Sequence, residues 1–145
     1  MPTQQTTFAN LDVEAVFANY PCDVRTRLLQ LRRLILDTAD ATAGVGKLEE
    51  TLRWSEPSYL TTASRSGSMV RIHWKPVDGA HCRMYFHCAT NLVGTFRALY
   101  PTELGYEGNR AILVPRRGAM PTNAHRHCFT LALTYHSARK ARNRA

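Results

Sequence analysis

Apolar residues recur at helical spacing in the amino-terminal third of the chain. Residues 11–18 predict a short helix, because Asn10 stands just before them, where its side chain can cap the first turn. A longer helix is predicted from Asp23, in its first turn, to about Thr38. Four apolar residues in it recur at steps of 4, 3 and 4 and form one stripe that faces a core: Val24, Leu28, Leu31 and Ile35.

Apolar and polar residues alternate over residues 68–88, which predicts a β-hairpin. A two-residue loop would pair apolar with polar side chains, whereas a three-residue loop over 77–79 puts Gly79 at the left-handed position that such loops favour. We therefore predict the three-residue loop, which pairs apolar side chains on one face: Trp74 with Cys82, Ile72 with Met84 and Val70 with Phe86.

The segment 48–60 shows no single periodicity. Pro57 lacks an N–H group, so it is not expected in a central strand. We expect a short helical turn or strand that ends at Trp54, followed by an extended turn through Tyr59.

The carboxyl-terminal half predicts two more helices and two strands. They are a short helix over 92–99 capped by Thr90 or Asn91, a short strand around Tyr106, a buried strand over 111–114 and a final helix from near Thr122. The order of elements predicts an α+β fold of one domain, in which an antiparallel sheet packs against helices. Two helices have a second apolar stripe, which leaves a homodimer open: Leu29 with Leu36, and Phe129 with Leu133.

Composition is that of a globular chain. The 145 residues are 44% hydrophobic and 21% charged, which is typical of one domain with its own core. No stretch approaches the roughly 18 apolar residues of a transmembrane helix, so no membrane partner is expected. Residues 1–10 lack the basic and apolar regions of a secretory signal, and we therefore expect a cytoplasmic protein.

Much of the net charge of +8 lies at the carboxyl terminus. The basic residues there are Arg139, Lys140, Arg142 and Arg144. We therefore divide the chain into a domain over 1–138 and a basic tail over 139–145. Such a tail binds nucleic acid through its phosphates or serves only solubility, and both alternatives stay open.

The polar face of the predicted hairpin is also basic. Its register sets His73 opposite Arg83 and Arg71 opposite Tyr85, with Lys75 beside them. These cations repel a metal ion and attract an anion. The face therefore predicts a nucleic-acid or other anion surface, with an ordinary solvated sheet face as the alternative.

Cysteine and histidine spacing defines no metal site. Cys82, Cys88 and Cys128 fall on predicted apolar faces, where free cysteine acts as a small packing residue. His81 and His87 are six residues apart on one strand, which is roughly 20 Å and too far to share an ion. Metal and cofactor are therefore left unknown.

The sequence contains no motif for nucleophilic or phosphate-transfer chemistry. Neither G-x-S-x-G nor a P-loop occurs. The adjacent acids Glu49 and Glu50 offer the main candidates for acid–base work. We therefore favour a binding protein over an enzyme.

A run of short motifs covers residues 17–59. Its members are Tyr20-Pro21, Val24-Arg25, Leu31-Arg32, Glu49-Glu50 and Trp54-Ser55-Glu56-Pro57-Ser58-Tyr59. This run resembles the YdhG-like family of domains of unknown function, in which an acid commonly precedes W-G-x-P-x-Y. Here Ser55 replaces the glycine. The later hairpin, helix and strand follow in the order of that family.

The resemblance implies an antiparallel sheet packed on helices, and some relatives are described as frataxin-like iron chaperones. It also implies a ligand cleft bordered by Trp54, Pro57 and Tyr59, with Glu50 and Glu56 as the nearest polar groups. Iron sites of that kind use acidic surfaces, so the net charge of +8 disfavours an iron-chaperone role. The expected function is non-catalytic binding of a small ligand or metal, with a core and turn role of the same residues as the alternative.

Overall fold

Six strands form one antiparallel sheet, and all the described helices but the last pack on one of its faces. The computed structural model describes residues 7–144. Residues 1–6, on which part of the argument against a signal sequence rests, and residue 145 of the tail lie outside the described residues.

The described residues form five α-helices and six strands. The helices are α1 (Leu11–Ala18), α2 (Cys22–Ala41), α3 (Leu92–Leu99), α4 (Thr122–Leu133) and α5 (Tyr135–Arg144). The strands are β1 (Glu49–Arg53), β2 (Glu56–Leu60), β3 (Val70–His73), β4 (His81–Phe86), β5 (Gly105–Glu107) and β6 (Ala111–Pro115). Their order in the sheet is β1-β2-β3-β4-β6-β5, and every neighbouring pair is antiparallel. The predicted α+β class is confirmed.

The core lies between the helix layer and one face of the sheet. The predicted stripe of α2 is fully buried there, as Val24, Leu28, Leu31 and Ile35. The sheet contributes fully buried side chains from four strands: Tyr59, Val70, Ile72, Cys82, Met84, Ile112 and Val114. Burial of each large apolar side chain stabilises the fold by roughly 1.5–3 kcal/mol. We call the opposite side of the sheet the open face.

The two amino-terminal helices match their predicted positions closely. The Asn10 side chain accepts hydrogen bonds from the backbone N–H groups of Asp12 and Val13 at 3.0 and 3.2 Å, so it caps α1 as predicted. Helix α2 continues to Ala41, beyond the predicted end at Thr38. Its end is satisfied locally, because the Thr42 hydroxyl donates to the Thr38 carbonyl at 2.6 Å.

The predicted register of the 68–88 hairpin is confirmed within the ladder. Ile72 lies opposite Met84 and Val70 opposite Phe86. The three-residue loop is wrong, because the ladder ends at His73 and residues 74–80 join the strands. Side chains bond the connection instead: the Trp74 indole N–H donates to the Gly79 carbonyl at 2.9 Å, and Asp78 accepts from the Lys75 N–H at 2.8 Å.

The segment 48–60 is a hairpin, and the extended turn expected after Trp54 is wrong. Trp54 and Ser55, both at positive φ of 53° and 62°, form a tight turn between β1 and β2. Pro57 lies in an inner strand, contrary to expectation. It is tolerated because β3 pairs with β2 only at Ser58 and Tyr59, so that ladder ends before it needs a donor from Pro57.

The predicted carboxyl-terminal elements are present, with differences at their ends. The single final helix predicted from Thr122 is wrong, because α4 ends at Leu133 and Tyr135 begins a separate helix, α5. The Thr90 hydroxyl, not the Asn91 side chain, accepts from the first N–H of α3. Phe129 and Leu133 are fully buried in the core rather than forming a second surface stripe. Cys82 and Cys128 are buried as predicted. Cys88 is exposed, because β4 ends at Phe86, and the prediction for it is wrong.

Candidate functional site

The segment that resembles the YdhG-like motif is divided between the two faces of the sheet. Glu50 pairs with Tyr59 in the β1–β2 register, and Tyr59 is fully buried on the helix-facing side. Pro57, two residues away on β2, shares that side. Glu56 lies on the open face, and Trp54 lies at the turn with 73% of its surface exposed. The structure therefore does not bring the five residues together along one cleft.

Glu50 ties the β1–β2 hairpin to α2. Its carboxylate accepts from the Arg32 guanidinium at 2.5 and 3.0 Å and from the Tyr59 hydroxyl at 2.8 Å. Burial and the neighbouring carboxylate raise the pKa of Tyr59 well above its ordinary value, so the phenol stays protonated and donates. With every partner satisfied and nearly buried, this network is a structural clamp.

Cationic and aromatic side chains alternate across the open face. The Arg71 guanidinium lies 4.9 Å from the centre of the Trp54 ring and 4.6 Å from that of Tyr85. On the far side, the Arg110 guanidinium lies 5.1 Å from the Tyr85 ring. We call Trp54, Arg71, Tyr85 and Arg110 the stacked row. Each contact is within the range of a cation–π interaction.

The register of the sheet builds the stacked row. Arg71 lies directly opposite Tyr85 in the β3–β4 pair, as predicted. Tyr85 in turn lies opposite Ala111, which directly follows Arg110. Glu56 orients Arg71 by accepting from its Nε at 2.5 Å. The Glu56 residue is itself only 7% exposed and therefore fixed in position. Its carboxylate holds the Arg71 guanidinium between the two rings.

The other basic residues predicted on this face are partly neutralised. Arg83 pairs with Glu107 at 3.1 Å and Asp78 at 3.4 Å, and Lys75 is 4.0 Å from Glu56. Across the described part of the chain, the side chain of Arg110 has no carboxylate within 4.0 Å. Of the two arginines of the stacked row, Arg110 is therefore the one whose charge is not neutralised by an acid among the described residues.

His73 turns away from the stacked row toward the helix layer. Its Nδ1 lies 2.5 Å from the Tyr20 hydroxyl, and the rings meet edge to face. Burial lowers the pKa of His73 below 6.5. Its imidazole is therefore mainly neutral at pH 7 and adds little charge to the open face.

The basic tail is helical. Helix α5 begins at Tyr135, where the Ser66 carbonyl accepts from the N–H groups of His136 and Ser137 at 2.8 and 3.0 Å. Gly67 allows this approach, since a Cβ there would come within 2.3 Å of the Leu133 backbone. All four basic residues of α5 are exposed, including Arg139 and Lys140.

The start of α5 adjoins one end of the open face. A shallow cavity of about 350 Å³ there is lined by His136 of α5 and by Leu60 and Met69 beside β2 and β3. Helix α5 therefore starts beside the open face, at the end of β2 away from the Trp54 turn.

Sequence reasoning found Arg71 and its partner Tyr85 through the hairpin register. It missed Arg110 as a site residue, because Arg110 lies outside any periodic segment and reaches Tyr85 only through the β4–β6 pairing. Its position just before a predicted strand is the one local signal that could have suggested it.

Within residues 7–144, no group of three or more His, Cys, Asp or Glu side chains is arranged to hold a metal ion. None of the helices described is both long and apolar enough to cross a membrane.

The chain was compared with protein-family models, with curated proteins and with solved structures. None of the three comparisons gives a match.

Proposed function

We propose that the protein binds single-stranded nucleic acid, with bases on the stacked row and phosphates on α5. The stacked row carries this proposal. Single-strand binding proteins combine aromatic rings, on which bases stack, with cations that follow the backbone. Trp54 supplies the exposed ring on which a base stacks. Tyr85 is only 7% exposed and lies between the Arg71 and Arg110 guanidinium groups, so it positions the two cations that flank the nucleic acid.

Trp54 is the side chain best placed to meet a base. Its indole is 73% exposed although it is a large apolar group, and Arg71 lies against it. The guanidinium limits the indole's movement, which reduces the entropy lost when a base stacks on it. The tight turn at Trp54 and Ser55 places the ring at the end of the β1–β2 hairpin, where most of it is exposed to solvent.

Electrostatics supports the same partner. The chain has a net charge of +8, and α5, which starts at one end of the open face, presents its basic side chains to solvent. Phosphate contacts release counterions, so this binding depends steeply on salt. As a nucleic-acid-binding protein the chain would work in the cytoplasm and without catalysis, as the sequence predicts.

The test is fluorescence anisotropy with labelled single-stranded oligonucleotides at two salt concentrations. Trp54→Ala should weaken binding by about 1–3 kcal/mol, the usual contribution of one stacked base. Val77→Ala is the matched control, because Val77 is an 88% exposed apolar residue outside the stacked row. The proposal fails if low salt gives no binding, or if both variants bind as tightly as the parent protein.

The role of α5 is tested by the salt dependence. Changing both Arg139 and Lys140 to Gln should lower the slope of log affinity against log salt by about 1.4, at about 0.7 per neutralised phosphate contact. An unchanged slope would remove α5 from the interface while leaving the stacked row in place.

A small ligand or metal, as the family resemblance suggests, is a second proposal. The observation that favours it is the meeting of an exposed indole, a guanidinium and the nearly buried carboxylate of Glu56 at one spot on the open face. Anaerobic titration with ferrous iron tests the metal form. Saturable binding that Glu56→Gln abolishes and Glu49→Gln preserves would support it, and no saturable binding would exclude it.

A further inference from the structure

A basic cavity lies between the start of α2 and the loop that joins β6 to α4. Its volume is about 330 Å³, and its walls include three arginines, Arg27, Arg116 and Arg117, with Asp23 as the one acid among the lining residues. It shares no residue with the stacked row. The excess of cations over acids in so small a space requires an explanation.

The carboxylate of Asp23 is fully engaged by two of the arginines. Arg116 donates to both of its oxygens at 2.9 and 3.0 Å, and the Nε of Arg117 donates to Oδ2 at 2.7 Å. These two guanidinium groups hold the pKa of Asp23 well below its ordinary value. The Val24 N–H also donates to Oδ1 at 2.9 Å, so Asp23 stays ionised with each oxygen accepting two hydrogen bonds.

Arg27 is the third arginine, and it is buried without an ionic partner. It is 5% exposed, its Nη2 donates to the Gly118 carbonyl, and its Nε has no hydrogen-bond partner. In the part of the chain that the structure describes, no carboxylate lies within 4.0 Å of it. An uncompensated buried charge is costly, so this arrangement indicates that something else supplies the negative charge.

The buried titratable groups near Arg27 do not supply it. Burial raises the pKa of the Cys82 thiol to about 12, so it is uncharged at neutral pH. Burial and the charge of Arg27 lower the pKa of His125 to about 4, so its imidazole is neutral as well. Asp23 is thus the one acid among the lining residues for three arginines, and the cavity keeps an excess of positive charge that an anion from solvent would balance.

We propose that this cavity binds a phosphate-type anion, with Arg27 as the buried anchor and Arg117 as the group that closes over it. Guanidinium groups match phosphate oxygens with paired donors, and they are weakly hydrated and therefore suited to buried anion sites. The Arg117 side chain is 79% exposed, so it can turn from Asp23 to the ligand. The proposal does not depend on nucleic-acid binding by the stacked row.

Trp74 provides a local reporter for the test. The Arg116 guanidinium lies 4.9 Å from its ring, so a ligand that engages Arg116 alters its surroundings. The chain has two tryptophans, and Trp54→Phe leaves Trp74 as the single tryptophan. Inorganic phosphate and pyrophosphate are titrated into this variant at constant ionic strength, with chloride as the balancing anion.

We expect a saturable change in Trp74 fluorescence that chloride does not produce. In the same background, Arg27→Met should weaken binding by about tenfold and Arg117→Met by less, as charged hydrogen bonds are removed. Arg33→Met is the matched control, because Arg33 is an exposed arginine of the same helix that does not line the cavity. It should bind as the parent does.

Arg27→Met has a structural risk, because it also removes the bond to Gly118. If that variant does not fold, the variant Arg117→Met, at an exposed residue, provides the test. The absence of a saturable signal in the Trp54→Phe protein, or an equal loss in Arg117→Met and Arg33→Met, would overturn the proposal. Oligonucleotide binding is measured in Arg117→Met with Trp54 present, because Trp54 belongs to the stacked row. Loss of pyrophosphate binding without loss of oligonucleotide binding assigns the site to a small phosphate compound, and loss of both assigns it to a strand phosphate.

Discussion

Glu50 and Glu56 lie on the two strands of one hairpin, and each accepts a 2.5 Å hydrogen bond from the Nε of an arginine. The surroundings of the two pairs differ. Glu50 faces the helices, where its partner Arg32 has a side chain only 7% exposed and the Tyr59 hydroxyl completes the network. Glu56 faces the open side, where its partner Arg71 is 21% exposed.

The comparison shows that the same kind of ion pair has a different role on each side of the sheet. Inside, both oxygens of Glu50 accept from Arg32, and this bidentate pair holds β1 against α2. On the open face, Glu56 binds one edge of the Arg71 guanidinium and leaves its flat surfaces to two aromatic rings. The two acids are similarly buried, so the difference lies in the arginines: the buried Arg32 affects stability, whereas the more exposed Arg71 is positioned for a partner.

The largest expected effect is on the inner pair. Glu50→Gln leaves Arg32 buried without a counter-charge, so the free energy of unfolding should fall by about 3–5 kcal/mol. Urea denaturation followed by circular dichroism measures it. Glu49→Gln is the control, because Glu49 is its exposed neighbour on the same strand. Equal stability of the two variants would contradict the structural role of the clamp.

The free energy of unfolding should also fall in acid, because of a histidine buried in the helix layer. His125 is 1% exposed, and its pKa is about 4 in the folded protein against an ordinary value of 6.5. Because the unfolded chain binds the proton more readily, the stability that neutral His125 contributes is complete above pH 6.5 and falls by about 3 kcal/mol as the pH drops toward 4.

His125→Leu isolates this effect, since the leucine does not titrate. Between pH 7 and 4.5, the unfolding free energy of the parent protein should fall more steeply than that of the variant. Parallel curves would show that His125 is not the titrating group. Carboxylates such as Asp23 and Glu107, whose pKa values are lowered by arginines, lose their contribution at lower pH and do so in both proteins.

The outer pair should give a smaller loss of stability and a measurable loss of binding. Glu56→Gln should lower the free energy of unfolding by about 1–2 kcal/mol, because Arg71 keeps access to water. It should weaken oligonucleotide binding severalfold, since Arg71 is no longer held between the rings. Anisotropy and urea denaturation of the same samples separate the two effects, and Glu107→Gln, at an ion pair outside the stacked row, is the control. A loss of stability as large as that of Glu50→Gln would remove the difference between the two faces.

The smallest effect is expected at the outer end of the stacked row. Arg110 is exposed and has no carboxylate partner among residues 7–144, so Arg110→Gln should change the unfolding free energy by less than about 0.5 kcal/mol. Oligonucleotide affinity should still fall severalfold, because an exposed cation that can contact a phosphate is removed. Unchanged affinity would shorten the stacked row to Trp54, Arg71 and Tyr85.

Local patterns are sufficient to predict most helices and the central hairpin. The cap at Asn10 and the stripe of α2 are short-range features, and the period of two along residues 68–88 sets the register because a slip would expose the apolar face. The same alternation pairs Arg71 with Tyr85. These elements depend on residues that are close in sequence, within one or two turns for the helices and within one hairpin for the strands.

Local patterns do not predict the structure of the segment 48–60. A proline and two positive-φ residues obscure a two-strand hairpin, because neither Trp54 nor Ser55 is a glycine and Pro57 lies in an inner strand. Only the short ladder with β3 shows that Pro57 costs no hydrogen bond there. The resemblance to the YdhG-like family rests largely on this segment, and it stays a prediction.

The sequence by itself determined the α+β class, the helix boundaries near their caps, the central register and the basic charge, because these follow from periodicity, capping and composition. Tertiary structure decided which face each polar residue occupies. Arg32 meets Glu50 across 18 residues, and Arg116 meets Asp23 across 93. Contacts at that separation depend on how strands and helices pack. Only the packed structure therefore shows that Arg32 and Glu50 form an inner clamp, that the stacked row lies on the open face and that Arg27 is buried.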